Sequence, residues 1–153
     1  MTILLLRHVD AGDRHAWDGD DRARPISPLG QRQADALVDL LADRPIDRIV
    51  SSPYTRCVGS VVPLATARAL PVEHDEVLAE GSPTDVIRAL LRGLDGQDIV
   101  LCTHGDVINA AITDLDQQGV DVGDDPTWPK GSTWVLSDLV GTTPSARYLP
   151  PPI

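Results

Sequence analysis

Residues 2–7, Thr2-Ile3-Leu4-Leu5-Leu6-Arg7, form a short apolar run that reads as a buried strand. A polar stretch rich in Asp, Arg and Gly follows over 8–26 and reads as a loop. Ser27-Pro28 then offers an N-cap with proline at the first helical position, and Ala34, Leu37, Val38 and Leu41 recur at helical spacing. That spacing predicts an amphipathic helix over 28–43. Ile46 to Ser51 reads as a second strand, and Ser52-Pro53 repeats the helix-start signal before Val58, Val61, Val62 and Ala65. Pro63 lies inside this pattern, so a kink or break is expected there. A brief strand is expected at 71–74. A third helix is expected after Ser82-Pro83, carrying Val86, Ile87, Leu90, Leu91 and Leu94. Ile99 to Cys102 is a further buried strand, followed by a helix through Val107, Ile108, Ala111, Ile112 and Leu115. A loop over 119–131, a last strand over 132–137 and an extended Pro150-Pro151-Pro152 tail complete the chain. Strands alternating with helices predict an α/β fold: a single-domain three-layer sandwich, its sheet mostly parallel, with helices on both faces.

Composition narrows the function. At 153 residues the chain is expected to form one domain, 1–153, large enough to fold without a disulfide or metal staple. Its 42% hydrophobic and 24% charged residues are ordinary for a globular protein. Thirteen basic residues against 23 acidic ones leave a formal charge of -10, which disfavours nucleic acid and anionic membrane surfaces as partners. Two cysteines, Cys57 and Cys102, make neither a disulfide framework nor a zinc set. No apolar run reaches the roughly 18 residues of a membrane span, and the N-terminus lacks the features of a secretory signal. A reduced, cytoplasmic protein is the expectation. The oligomeric state stays open, since no long exposed apolar stripe is identifiable.

In such a charge balance, a cluster of cations is an anomaly. The first strand runs out into Arg7-His8, the second into Ser51-Ser52-Pro53-Tyr54-Thr55-Arg56, and the strand at 99–102 into Thr103-His104-Gly105-Asp106. Parallel strands put these exits on one edge of the sheet, where open α/β folds bind ligands. Two of the exits lead into helix N-termini, whose amides and dipole favour an anion. A lone His at a strand end is ordinarily a packed or surface residue, and a lone Arg in a first helical turn is ordinarily solvated. Two of each at equivalent exits point instead to a phosphate pocket, because Arg binds phosphate oxygens bidentately.

The stretches LLLRHVDAG, SSPYTRC, LAEG and LCTHGDV, in this order and spacing, resemble the histidine phosphatase superfamily, or phosphoglycerate mutase-like family. The likeness runs from residue 3 to about 110 and is nearest to short, uncapped bacterial members. It implies a phosphatase that hydrolyses phosphomonoesters or phosphohistidine without a metal or other cofactor. By resemblance His8 is the nucleophile and becomes a phosphohistidine. Arg7, Arg56 and His104 hold the phosphoryl oxygens, and Glu80 is the general acid for the leaving oxygen. The implied substrate is a small phosphorylated metabolite or a phosphoprotein. Asp10, two residues from His8, is the second candidate for the acid.

The chain departs from the family pattern at Val9, where glycine is usual, and at Gly59-Ser60, where a polar residue and threonine are common. Neither departure removes a charge. A phosphoglycerate mutase ranks lower, because mutases are longer and carry Ser and Asn soon after the nucleophile, where this chain has Val9-Asp10-Ala11-Gly12-Asp13-Arg14. A non-enzymatic phospho-ligand-binding module would be expected to have lost His8 or Arg7. A hydrolytic metal site of His8, Asp10, Glu80 and His104 is opposed by the flanking arginines. His15 and His74 read as structural or surface groups. Trp17 and Trp128 read as packing residues with a lesser case as pocket walls, and Cys57 as a small buried side chain.

Overall fold

The computed structural model describes residues 1–153 in full. Six strands are joined by four α-helices: β1 Ile3–Arg7, α1 Pro28–Leu40, β2 Arg48–Ser51, α2 Thr55–Arg68, β3 Val72–His74, α3 Thr84–Leu94, β4 Ile99–Thr103, α4 Gly105–Gln117, β5 Thr133–Ser137 and β6 Ser145–Leu149. The strands form one sheet in the order β3-β2-β4-β1-β5-β6. β3, β2, β4 and β1 run parallel, and β5 and β6 add two antiparallel strands at one side.

Strand alternation builds both cores. Ile3 and Leu5 of β1, with Ile99 and Leu101 of β4, meet Ile87 and Leu91 of α3 and Val107, Ile108, Ala111, Ile112 and Leu115 of α4. Leu4, Leu6, Val100 and Cys102 point to the other face. There they pack on Ala34 and Leu37 of α1 and Cys57, Val61, Leu64 and Ala65 of α2. This is the expected three-layer sandwich. A fully buried aliphatic side chain contributes about 1.5–3 kcal/mol, so β1 and β4, buried on both faces, anchor the fold.

Three local expectations need correcting. α2 runs unbroken through Pro63. The proline lacks one backbone donor, but Cys57, Val61, Leu64 and Ala65 stay buried on either side of it and hold the helix down. Ser52 does not cap α2, which begins at Thr55 after Tyr54 with no side-chain cap; its hydroxyl is engaged by His104 instead. Ser82 likewise caps nothing, and Pro83 stands at the N-cap position of α3. By contrast Ser27 accepts from the Gly30 N–H, with Pro28 opening α1 as read. β6 was not anticipated: Ser145-Ala146-Arg147-Tyr148-Leu149 has a single buried residue and zips onto β5 ahead of the expected proline tail.

The ends of the parallel strands are level. Arg7 pairs with Thr103 and Ser51 with Cys102, and one more hydrogen bond on each side carries His8 and Ser52 past the sheet edge. Beyond that edge β1 and β2 feed helices on one face while β4 feeds α4 on the other. A crevice opens where the connections part, flanking β4.

Candidate active site

His8 stands at the centre of this crevice, 4% exposed. Its Nδ1 lies 2.8 Å from the Val9 carbonyl oxygen, which can only accept, so Nδ1 carries the hydrogen and Nε2 carries the lone pair. Burial, reinforced by His104, Arg56 and Arg7, lowers its pKa from 6.5 to about 3. The imidazole is therefore neutral at ordinary pH, with a nucleophilic nitrogen available. Val9 turns its side chain into the core, fully buried. Its N–H donates to the Ser60 hydroxyl at 2.9 Å, and that hydroxyl donates to the Arg56 carbonyl at 2.6 Å. The two departures from the family pattern thus meet each other and tie the backbone beside His8 to the helix that carries Arg56.

Arg56 is fully buried in the first turn of α2. Nη2 donates to Glu80 Oε1 at 2.7 Å and to Asp21 Oδ2 at 3.1 Å, and Nη1 donates to the Asp21 carbonyl at 2.9 Å. Tyr54 lies under the guanidinium, 4.9 Å from ring centroid to Cζ, and packs edge-on to His104 at 4.5 Å. His104 stands between β4 and α4, its Nε2 2.9 Å from Ser52 Oγ and its ring 5.5 Å from that of His8. Glu80 Oε1 is 3.4 Å from His104 Nδ1. Arg7 crosses in front of α4: Nη1 donates to the Trp128 carbonyl at 2.9 Å, and a Cβ on Gly105 would lie 2.9 Å from Cζ. Glycine at 105 is what lets the guanidinium lie against the helix N-terminus. Burial lowers the Arg7 pKa, with nearby Asp106 opposing.

Four buried side-chain nitrogens and oxygens in the chain have no hydrogen-bond partner: Arg7 Nε, Arg56 Nε, His104 Nδ1 and Thr133 Oγ1. Three of these belong to the residues drawn together at the strand ends. Unpaired buried donors are costly. Their convergence beside two helix N-termini that no side chain caps suits an anionic ligand.

The model of the histidine phosphatase superfamily, branch 1, matches residues 3–84, more than half of the chain. The chain belongs to this superfamily. An 8-oxo-(d)GTP phosphatase from Mycolicibacterium smegmatis is 33% identical over 156 residues, covering 99% of this chain and 48% of the relative. The chain thus spans about half the length of that relative. Among solved structures, the protein histidine phosphatase SixA complexed with tungstate superposes with a TM-score of 0.79 at 17% identity, covering 99% of this chain and 97% of that one. A mycobacterial glucosyl-3-phosphoglycerate phosphatase superposes at 0.69 and 20% identity, covering 96% of each chain. These structural likenesses carry the histidine phosphatase fold.

The cavity of this superfamily member measures about 620 Å³ and is bounded by Arg7, His8, Glu80, His104, Gly105 and Asp106 together with loop residues to which the sequence reading gave no part in the site. Gly12, Asp13, Arg14, His15 and Arg24 come from the long loop after β1, and Lys130 from the loop before β5. Arg56 does not line it, since Asp21 and Glu80 cover its guanidinium. Asp21 is the most consequential omission. Besides Arg56 it engages Arg24 Nε at 3.0 Å and approaches Arg14 at 3.5 Å. The available signal was Asp20-Asp21, an Asp capping a 3₁₀ turn over Asp21–Ala23, hidden in a loop crowded with acids. His15, read as a surface or structural group, lies on the cavity wall.

Asp10 is absent from the cavity. Its carboxylate accepts from the Ser27 hydroxyl and the Gly12 N–H, bonds that lower its pKa and staple the loop to the start of α1. It is therefore not placed as the alternative acid, and the metal set of His8, Asp10, Glu80 and His104 does not assemble. Trp17 and Trp128 do not line the cavity either. Cys57 is fully buried behind His104, 3.5 Å from Nε2.

Proposed function

We propose that this chain is a phosphatase that hydrolyses a phosphorylated substrate through a phosphohistidine on His8. The observation that carries the reading is the His8 ring: neutral, pinned through Nδ1 to the Val9 carbonyl, and set among three buried side-chain nitrogens without hydrogen-bond partners. The phosphoryl oxygens take up the Arg7, Arg56 and His104 donors, and the anion competes with Glu80 for Arg56. Nε2 attacks phosphorus; the N–P bond forms as the bond to the leaving oxygen breaks, and that oxygen takes a proton from Glu80. Water then attacks the phosphohistidine, Glu80 takes its proton, the N–P bond breaks, and phosphate leaves. A pocket at the sheet edge serves a small metabolite or a phosphoprotein alike. The similar proteins bear names of both kinds, a protein histidine phosphatase and phosphatases of small molecules.

His8→Ala should lower turnover of nitrophenyl phosphate by about 10⁴-fold or more, as removal of a nucleophile does in other covalent mechanisms. It should also abolish the acid-labile phosphoprotein trapped by rapid quench of the wild type. Near-native turnover in that variant would overturn the assignment.

A further inference from the structure

None of the twelve residues bounding the cavity is hydrophobic. Within this cavity the part of the substrate that is not transferred meets charged and hydrogen-bonding groups. The acids of the wall already have donors. Glu80 accepts from Arg56 and Arg14, Asp106 from the Gly81 N–H, and Asp13 from the His15 N–H. Most of the cations are committed too. Arg24 is buried and donates to Asp21 and the Ala11 carbonyl, Arg14 donates to Glu80, and Arg7 to the Trp128 carbonyl. Lys130 differs: its Nζ meets only Asp10 Oδ1, at 3.8 Å.

Its placement is firm. The Gly131 N–H donates to the carbonyls of both Arg7 and His8, at 3.2 and 3.1 Å, and the Ser132 N–H and hydroxyl both return to the Pro129 carbonyl. The tip Pro129-Lys130-Gly131 closes through a glycine at φ +84°. The backbone on either side of Lys130 is thus bonded to the nucleophile's own strand or folded on itself. Lys130 is also the only lysine among thirteen basic residues. A compact ammonium on a flexible stem binds an anion as a point charge, without the fixed fork of Arg.

Resting on the phosphatase reading, we propose that Lys130 binds a second anionic group of the substrate, a carboxylate or another phosphate, so that the molecule hydrolysed is a small phosphorylated acid. The transferred phosphoryl group is already served by Arg7, Arg56 and His104, which leaves the Lys130 charge for the remainder of the molecule.

Binding of non-hydrolysable probes reads this separately from catalysis. Ethylphosphonate carries one anionic group; phosphonoacetate adds a carboxylate and methylenebisphosphonate a second phosphonate. In calorimetric titrations the wild type should bind at least one of the latter two about tenfold or more tightly than ethylphosphonate, the scale of one charge-assisted contact. The preferred probe names the group. Lys130→Gln should erase that advantage and Lys130→Arg should keep most of it. Equal affinity for all three probes, or an advantage that survives Lys130→Gln, would overturn the proposal. Turnover of nitrophenyl phosphate by the wild type, measured alongside, tests the phosphatase reading itself, so the two cannot fail indistinguishably.

Discussion

Burial, together with His104 and the two neighbouring arginines, keeps the His8 imidazole neutral down to about pH 3, while its Nδ1–H stays on the Val9 carbonyl. The unfolded chain takes up this proton near pH 6.5 and the folded chain only near 3. His8 therefore contributes stability that is complete above pH 6.5 and is lost as pH falls toward 3. Between pH 7 and 5 that loss comes to about 2 kcal/mol, at about 1.36 kcal/mol per pH unit below the unfolded value. His8→Asn keeps an N–H donor for Val9 but has no titrating ring. Its stability in urea should fall by about 2 kcal/mol less than the wild type's over the same interval. An identical fall in both proteins would mean that the folded imidazole already accepts its proton near 6.5. At this scale Arg7, His8, Arg56 and His104 were legible because each sits in or directly after a regular element, whereas Glu80 was named only through the family resemblance. Asp21 and Lys130 were not legible: each is carried to the site by the long connections after β1 and before β5, and the course of such connections has no period to read.

Helix α1 illustrates how an element is placed by one missing side chain. A Cβ on Gly30 would lie 2.0 Å from the Asp10 carbonyl oxygen, an atom of the backbone that cannot rotate away. That close approach seats the helix start against the loop leaving His8, with Ser27 N–H bonded to the same carbonyl at 3.0 Å. Gly30→Ala should destabilise the fold by about 3 kcal/mol, the upper range of overpacking, measured by urea denaturation. Gly59→Ala is the matched control. Its Cβ would only touch Ile26 at 3.4 Å or beyond, within a helix where Ala is favoured over Gly, so its effect should be small or stabilising by up to about 1 kcal/mol. Equal costs would show that the contact at Asp10 is relaxed without penalty. The helices themselves were legible from apolar spacing. Their starts were less so, since Ser52 and Ser82 carry the cap signature but are not used as caps.

Over the whole molecule, a chain of net charge -10 gathers Arg7, Arg56 and His104 at one edge of its sheet. Folding assembles these donors from strands far apart in sequence, so an anion that bridges them binds the folded state and not the unfolded chain. Orthovanadate at about one hundred times its dissociation constant should then add about 2.7 kcal/mol of stability. For a domain of this size that is a rise in melting temperature of roughly 5–10 °C. The rise should be smaller in Arg56→Gln at the same concentration. No shift in the wild type would show that these groups do not hold a phosphoryl-like anion.

The residue pattern alone determined the layered α/β architecture, the strand exits and the residues standing on them, because burial on both faces and helical periodicity are local signals repeated along the chain. It did not determine β6, a short edge strand with a single buried residue that exists through its pairing with β5. Nor did it determine that Glu80 and Asp21 would close over Arg56, that Asp10 would turn away to Ser27, or that Lys130 would be bonded into place beside His8. Those are choices of partner for charged groups in loops. They are settled only when folding brings together segments up to about 120 residues apart and removes enough water to make one pairing better than solvent.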